Sequence, residues 1–575
     1  MKLLSICAFT TLMIFSEEVF AQTETFTTKR VVNANTVAGR LRHPFAMVLG
    51  PDDSLWITER RGYIVRMNRF NGGKTQLLDI RNKVRFTTSF GSIKQDGMFG
   101  IALHPNLHEP GSNYVYTAYT YDSSGRRRVR IVRFTYNRAT ASLGNEVTLL
   151  GGIHGSDDHN AGKLVIGNFG TADVPDYKLV YTCGDRGANQ FGNTCDSIES
   201  QYIPTYAQIS SGNLRRYNGK ILRLNLDGSI PADNPDFGGI GRSHVYSIGH
   251  RNPQGLAFER DANNQLIPNG KLYSSEQGPA TNDEVNIIYS GRNYGWPRVA
   301  GKQDNNWYKY YQWSNSGSCG SYPGECSSTQ TNSGLAENTF PAMQHTNPIF
   351  DLYPGTPNGG TSCNWLTNPT LAPASIAYYP YTDKIPGWGK SLLISTLKTS
   401  SVYLLRLDAT GESSKSVSDS VVRFFKEAQL NRYRDIVVAN DGITFYLLTD
   451  SVGGTSGPSA GMDGGLTNRG AVVEYIYTGP LLSIETPGYT PIPGERSFRM
   501  YPNPASNEVM IDAGRNVSKP VYYEVFDLLG RPVLKGKRDD TRFSLNITTL
   551  KKGVYSFRLY NGWDILIATE KLIVQ

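Results

Sequence analysis

From residue 40 onward, apolar and polar positions alternate with the period of two that sends β-strand side chains to opposite faces. No long helical periodicity interrupts them. The alternation is parcelled into modules: an apolar strand ending near Pro, Asp or Asn-Gly, a second ending in Thr or Ser plus an acid, then a third. FAMVLGPDDSLWITERRGYIVRMN is the first copy and IALHPNLHEPGSNYVYTAYTYDSSGRRRVRIVRFTYN the second. The third joins KLVIGNFGTADVPDYKLVYTCGDRG to GKILRLNLDGSI across a long insertion. The fourth starts at GLAFERD, the fifth at ASIAYYP, and the sixth joins DIVVANDGITFYLLTDSVGG to GAVVEYIYT. Six such modules predict an all-β chain, with a six-bladed β-propeller over residues 25–479. PLLSIETPGYTPIPGE then breaks the pattern, as a linker over 480–496 would. Short alternating strands return over 497–575 and predict a small C-terminal β-sandwich.

Composition adds three constraints. A net charge of +8 is modest for 575 residues. The densest basic run, Arg126-Arg127-Arg128-Val129-Arg130, falls in a strand pattern and reads as a solvated face, so no nucleic-acid partner is expected. Residues 1–21, MKLLSICAFTTLMIFSEEVFA, have the charged start, apolar core and small-residue end of a signal peptide, too short to span a bilayer. That predicts export, to a secreted or cell-surface location. Cys183, Cys195, Cys319, Cys326 and Cys363 remain in the mature chain. In an oxidising compartment Cys319 could pair with Cys326, and Cys183 with Cys195, leaving one over.

Propeller loops from distant blades converge on one channel, so polar loops carry the candidate chemistry. The richest stretch is Ile248 to Glu284, with Arg251 and Asn252, then Glu276-Gln277-Gly278-Pro279, then Asp283 and Glu284. A fixed cation, oriented amides, accessible carbonyls and paired acids suit an anionic ligand together with a hard cation such as Ca²⁺. Taken alone, the stretch could equally be two well-capped turns. Other loops hold Gln95-Asp96-Gly97, Asp158-His159, Asp185 with Gln190, Lys398, and Arg432-Tyr433-Arg434-Asp435. His159 is the best base candidate among the eight histidines, because Asp158 or Asp185 could fix its tautomer. Three or four cations on one channel would require an anionic ligand, a polyanionic small molecule at its mouth.

Over residues 40 to about 478 the chain resembles the soluble pyrroloquinoline-quinone (PQQ) dependent glucose dehydrogenases and the related aldose sugar dehydrogenases. LGPDDSLWITER, DHNAGKLVIG, GKILRLNLDGSIPADNP, IGHRNPQGLAF, SEQGP with NDE, NYGWP and NRYRD carry the resemblance. It implies a six-bladed propeller that oxidises an aldose at C1 to the lactone, with PQQ and Ca²⁺ as cofactors and an external electron acceptor. By the same resemblance His159 is the general base, Asp185 orients it, and Arg251 stabilises charge on the quinone. Asn252, Gln277, Lys398, Arg432 and Arg434 would hold PQQ, and the carbonyls of Gly278 and Pro279 its Ca²⁺. Asp283 and Glu284 then drop to support. Gln95, Asp158 and Gln190 match sugar-side positions; Trp365 is the aromatic candidate in a divergent stretch between Trp307 and Leu371, where Asn368 stands in place of an expected aromatic. Ala300 and Lys302 carbonyls with Asp304 and Glu337 match a second Ca²⁺ set, which in relatives lies at a dimer contact and implies a homodimer. YPNPAS and the closing GVYSFRLYNG…KLIVQ resemble the sorting domain of type IX secretion, which implies that machinery as a partner. Two rival readings are a calcium-dependent lactonase, which needs a carboxylate metal site in the channel, and a non-catalytic glycan- or protein-binding propeller.

Overall fold

The computed structural model of the chain describes residues 24–30, 40–89, 92–188, 193, 196–239, 241–279, 281–303, 337–352, 370–414, 421–425, 431–452, 466–479, 498–513, 519–527, 531–560 and 566–575. The leader, the linker, Gln190, Asp304, Trp365, Asn368, Cys195, Cys319, Cys326 and Cys363 lie outside the described residues.

Six four-stranded antiparallel sheets follow one another along the chain. Their first strands are Pro44–Leu49, Met98–Leu103, Ala161–Asn168, Pro253–Phe258, Pro373–Tyr379 and Tyr433–Val438. Each of these packs on the next, and the sixth packs on the first, so the ring closes as a six-bladed propeller. Blade packs on blade through apolar faces, which is why strands such as Ser391–Thr396 and Thr444–Thr449 are buried at every position.

The sixth blade is closed from the other end of the chain. Its strands Tyr433–Val438, Thr444–Thr449 and Val472–Tyr477 are completed by Phe26–Arg30, with Phe26 opposite Tyr477 and Arg30 opposite Val473. Phe26 anchors that strand among Trp388, Phe424, Phe425, Phe445 and Tyr477, at centroid distances of 5.0–6.0 Å.

Every first strand opens with a break in register, at Pro44/Ala46, Met98/Ile101, Ala161/Leu164, Pro253/Gly255, Pro373/Ser375 and Tyr433/Asp435. A bulge of this kind re-aims the inserted residue relative to its strand. In the fourth and sixth blades the residues skipped are Gln254 and Arg434. In the third, the skipped pair includes Lys163, whose Nζ donates to both oxygens of Asp435 (2.9 and 2.8 Å) and to Ser375 Oγ (3.0 Å). Asp435 also accepts from the Met47 N–H (2.8 Å), so one buried carboxylate ties the first, third and sixth blades together, and Lys163 adds the fifth.

Two sequence expectations are corrected. Cys183 is not bridged to Cys195: it is a free, buried thiol that accepts a 3.5 Å contact from Asn218 Nδ2, because its place in Tyr177–Cys183 turns it inward. The arginine run is only half solvated, since Arg127 reaches Asp96 at 3.1 Å and Arg130 lies 3.5 Å over the Tyr121 ring. Beyond the propeller, Arg499–Tyr501, Glu508–Asp512 and Arg542–Asn546 form one sheet, and four strands between Val521 and Val574 form a second. Val509, Ile511, Val525, Phe557 and Leu559 fill the core between them, as a small β-sandwich requires.

Candidate active site

In an antiparallel meander, the start of the first strand and the end of the second lie at the same end of the sheet. The candidate residues occupy those two positions. Gln95, His159, Arg251, Asn252 and Arg432 stand just ahead of first strands, and Arg434 in a first-strand bulge. Asp185, Gln277, Gly278, Pro279 and Lys398 follow second strands. The topology therefore gathers residues more than 300 positions apart on one rim of the channel.

His159 is buried and held at φ +40°, a left-handed conformation that costs a non-glycine residue about 1–3 kcal/mol. Gly184 makes room for it, since a Cβ there would collide with the His159 carbonyl oxygen. The ring Nδ1 lies 2.9 Å from Asp185 Oδ1. An ionised carboxylate only accepts, so Nδ1 donates and Nε2 keeps the lone pair. Asp185 is aimed in turn by Trp296 Nε1 (2.9 Å) and the Gly187 N–H (2.9 Å). Of the two acids that could orient the base, the structure thus selects Asp185. Asp158 Oδ1 sits 3.8 Å from His159 Nε2 and accepts from Gln95 Nε2 (2.5 Å), which brings both sugar-side candidates to the basic nitrogen. Trp296 was missed as a site residue; its motif, NYGWP, was legible, but nothing in it points to Asp185.

Arg251 stacks over Trp296 at 5.4 Å and donates from Nη1 to the Gln277 carbonyl (3.2 Å). Asn252 Nδ2 donates to Gln277 Oε1 (3.1 Å), and Gln277 Nε2 to the Pro373 carbonyl (3.1 Å). Behind them, Glu276 accepts the backbone N–H groups of Arg251 and Asn252 and pairs with His250 Nδ1 (2.9 Å), fixing the loop that carries both. Asp283 does the same for the next loop, accepting from the N–H groups of Gly278 (3.0 Å), Leu371 (2.6 Å) and Ala372 (3.1 Å). Burial raises its carboxyl to about 6 against those donors. Gly278 is required there: a Cβ would strike the carbonyl oxygens of Thr281 and Asn282. At the second expected metal set, Glu337 is fully buried and accepts the Ala300 N–H at 3.1 Å, while the Lys302 N–H donates to Asp351 (3.1 Å).

The cations complete the ring. Lys398 Nζ donates to Thr370 Oγ1 (2.9 Å), and burial holds its ammonium below the usual lysine range although Asp283 pulls the other way. Arg434 pairs with Asp450 at 2.6 Å and donates to Gln254 Oε1 (3.0 Å), whose amide faces Gln95 at 3.5 Å. Arg432 Nε lies 3.7 Å from Asp450. Burial pushes the Asp450 carboxyl up, but Arg434, Arg432 and Arg60 outweigh it and hold it below its ordinary value. Asp450 and Arg60 were not singled out by sequence reasoning, because their roles come from neighbours on other blades; Gln254 was legible only as an amide of the loop that carries Arg251. Asn252 Oδ1, Arg432 Nε and Arg434 Nε are buried with no hydrogen-bond partner. The two guanidinium donors fit a carboxylate, whereas the Asn252 oxygen, an acceptor, calls for a donor or a cation.

The loop bearing Trp296 rests on His345, which packs against Gly295 and whose Nε2 is buried without a hydrogen bond. Burial pushes this imidazole from 6.5 down to about 4. The native state therefore holds fewer protons than the unfolded chain between those values, so the stability this confers is complete above pH 6.5 and lost as pH falls towards 4. The loss should reach about 2–3 kcal/mol. Urea unfolding near neutral pH and again in mild acid should show a smaller acid loss in His345→Leu than in the parent; equal losses would place the effect elsewhere.

Comparison with known proteins gives the family and the fold. Residues 41–316 and 351–456 match the glucose/sorbosone dehydrogenase family, and residues 499–575 match a secretion-system C-terminal sorting domain. Quinoprotein glucose dehydrogenase B of Acinetobacter calcoaceticus is 35% identical, over 80% of this chain and 92% of that protein. Among solved structures, the PQQ-bound aldose sugar dehydrogenase of Streptomyces coelicolor (23% identical, TM-score 0.50) covers 79% of this chain and 99% of its own. The apo-form of the soluble Escherichia coli aldose sugar dehydrogenase (21% identical, TM-score 0.50) covers 78% and 99%. Those two likenesses bear on the fold, while the matched residues and the first relative bear on descent: the chain belongs to the glucose/sorbosone dehydrogenase family.

Proposed function

We propose that the chain is a secreted, PQQ-dependent dehydrogenase that oxidises an aldose at C1 to the lactone, with Ca²⁺ assistance and an external electron acceptor. The observation that carries this reading is an imidazole whose tautomer is set by a buried carboxylate, on the same rim as Arg251 and a guanidinium cluster. A relative named as a quinoprotein and a related fold solved with PQQ bound support it.

Arg432, Arg434, Lys398, Asn252 and Gln277 would hold PQQ, and the buried Nε donors of Arg432 and Arg434 without partners among the described residues fit its carboxylates. The carbonyls of Gly278 and Pro279 would hold Ca²⁺. When bound, the quinone supplies a two-electron acceptor and the metal a Lewis acid. His159 Nε2 takes the proton of the C1 hydroxyl, and Asp185 stabilises the imidazolium that results. Gln95 and Asp158 orient the sugar beside that nitrogen. Arg251, fixed by the Gln277 carbonyl and the Trp296 ring, sets positive charge where negative charge develops. Gln190 and Trp365 complete the sugar side in this proposal, and Ala300, Lys302, Asp304 and Glu337 a second Ca²⁺ set at a homodimer contact.

A lactonase reading finds less support. The described residues gather no three His, Cys, Asp or Glu in metal-ligating positions, whereas the channel rim gathers cations. For export, we assign a cleaved leader at the N-terminus and, on the C-terminal match, passage by a type IX route.

Reconstitution tests the function. The mature protein loaded with PQQ and Ca²⁺ should reduce a redox dye with at least one aldose of a sugar panel, and chelation of Ca²⁺ should abolish that activity. Absence of both PQQ binding and dye reduction would refute the proposal.

A further inference from the structure

Arg60, at the end of ITER, has no role in the assignments above. It follows the second strand of the first blade, Ser54–Glu59, directly after the residue paired with the opening of the first strand (Pro44↔Glu59). The same register position holds Gln277 in the fourth blade (Pro253↔Glu276) and Asp450 in the sixth (Tyr433↔Thr449). Both counterparts face the rim. Arg60 is buried, at 4% exposure, and its guanidinium carbon lies 5.1 Å from the centre of the Phe45 ring. Arg434 approaches the same ring at 5.8 Å, so the two guanidiniums share one aromatic wall.

Among the described residues the charges do not balance. Arg60, Arg432 and Arg434 are all buried, and Asp450 is the carboxylate that pairs with the last two. Asp96, the other acid near Arg60, is already engaged by Arg127 and by the N–H and hydroxyl of Thr87. Arg60 Nη1 donates to the Lys94 carbonyl (2.7 Å), yet the Nε atoms of all three arginines are buried without a hydrogen-bond partner. Burial lowers both Arg60 and Arg432 to about 10, and neighbouring guanidiniums add to the effect. Buried cations in excess of their counterions are tolerated where an anion completes the site.

We propose that Arg60 is a third anion-binding guanidinium, which with Arg432 and Arg434 receives a carboxylate of the ligand seated on the rim. This rests on the PQQ reading for the identity of that ligand, but the anion site stands on the arginines themselves. Arg60→Gln in the mature protein should weaken PQQ binding, followed by fluorescence titration, about 10- to 100-fold. Its affinity should also depend less on salt, and Arg60→Lys should recover part of the loss. Thermal melting of the apo-protein separates binding from bracing: loss of a surplus buried cation should leave the melting temperature unchanged or raised. A PQQ affinity within about twofold of the parent overturns the proposal, whatever the melting temperature does. If the parent protein itself fails to bind PQQ, the cofactor reading falls, and citrate becomes the probe of the anion site. Citrate at low salt should then raise the parent's melting temperature more than that of Arg60→Gln; equal shifts overturn the proposal.

Discussion

Replacing His159 by Gln should lower turnover of the reconstituted enzyme by about 1,000- to 10,000-fold while PQQ binding stays near that of the parent. Gln is close to His in size but has no lone pair that can take a proton near neutral pH. The binding residues lie on other loops: Arg432 and Arg434 lead the sixth blade, and Asn252 is held by Gln277. Dye-linked rates should therefore collapse with an unchanged PQQ titration curve. Asp185→Asn should fall between parent and His159→Gln, because an amide can present its NH₂ to Nδ1 and reverse the tautomer. Near-parental rates in His159→Gln would remove this imidazole from the chemistry.

The second large effect concerns stability. Asp435→Ala should cost about 3–5 kcal/mol, because it leaves the Lys163 ammonium buried with only Ser375 and strips the Met47 N–H of its acceptor. Chemical unfolding of the mature protein should show it directly. Replacing Lys163 and Asp435 together by Met and Leu should recover much of the loss, since a buried pair exchanged for apolar side chains of similar volume is often near neutral. A single mutant as stable as the parent would show that the blades need no carboxylate at the centre.

These two residues mark where sequence reading succeeds and where it stops. The six modules were legible because strand alternation and turn chemistry are local, whereas IGHRNPQGLAF and SEQGP alone read as capped turns and pointed to a ligand only beside the cations of other loops and through the family resemblance. His159 was legible as the base candidate, but the choice between Asp158 and Asp185 as its partner needed the distance of 2.9 Å. Asp435 was visible only as the last letter of NRYRD; its partner Lys163 lies 272 positions away. Trp296, Asp450 and Arg60 escaped for the same reason. Their meaning comes from which blades stand side by side, and no period within a blade encodes that. The closing strand Phe26–Arg30 was also invisible, because five residues cannot display a repeat.

That strand brings the two ends of the propeller together. The Thr478 N–H donates to the Thr25 carbonyl at 2.9 Å, so the first and last described residues of the propeller meet at one blade edge. Phe26–Arg30 is the edge strand of that blade and Val472–Tyr477 its neighbour. Closing the sixth blade therefore needs residues near both 26 and 477, and a chain cut before Val472 would leave Phe26–Arg30 without the strand it pairs with.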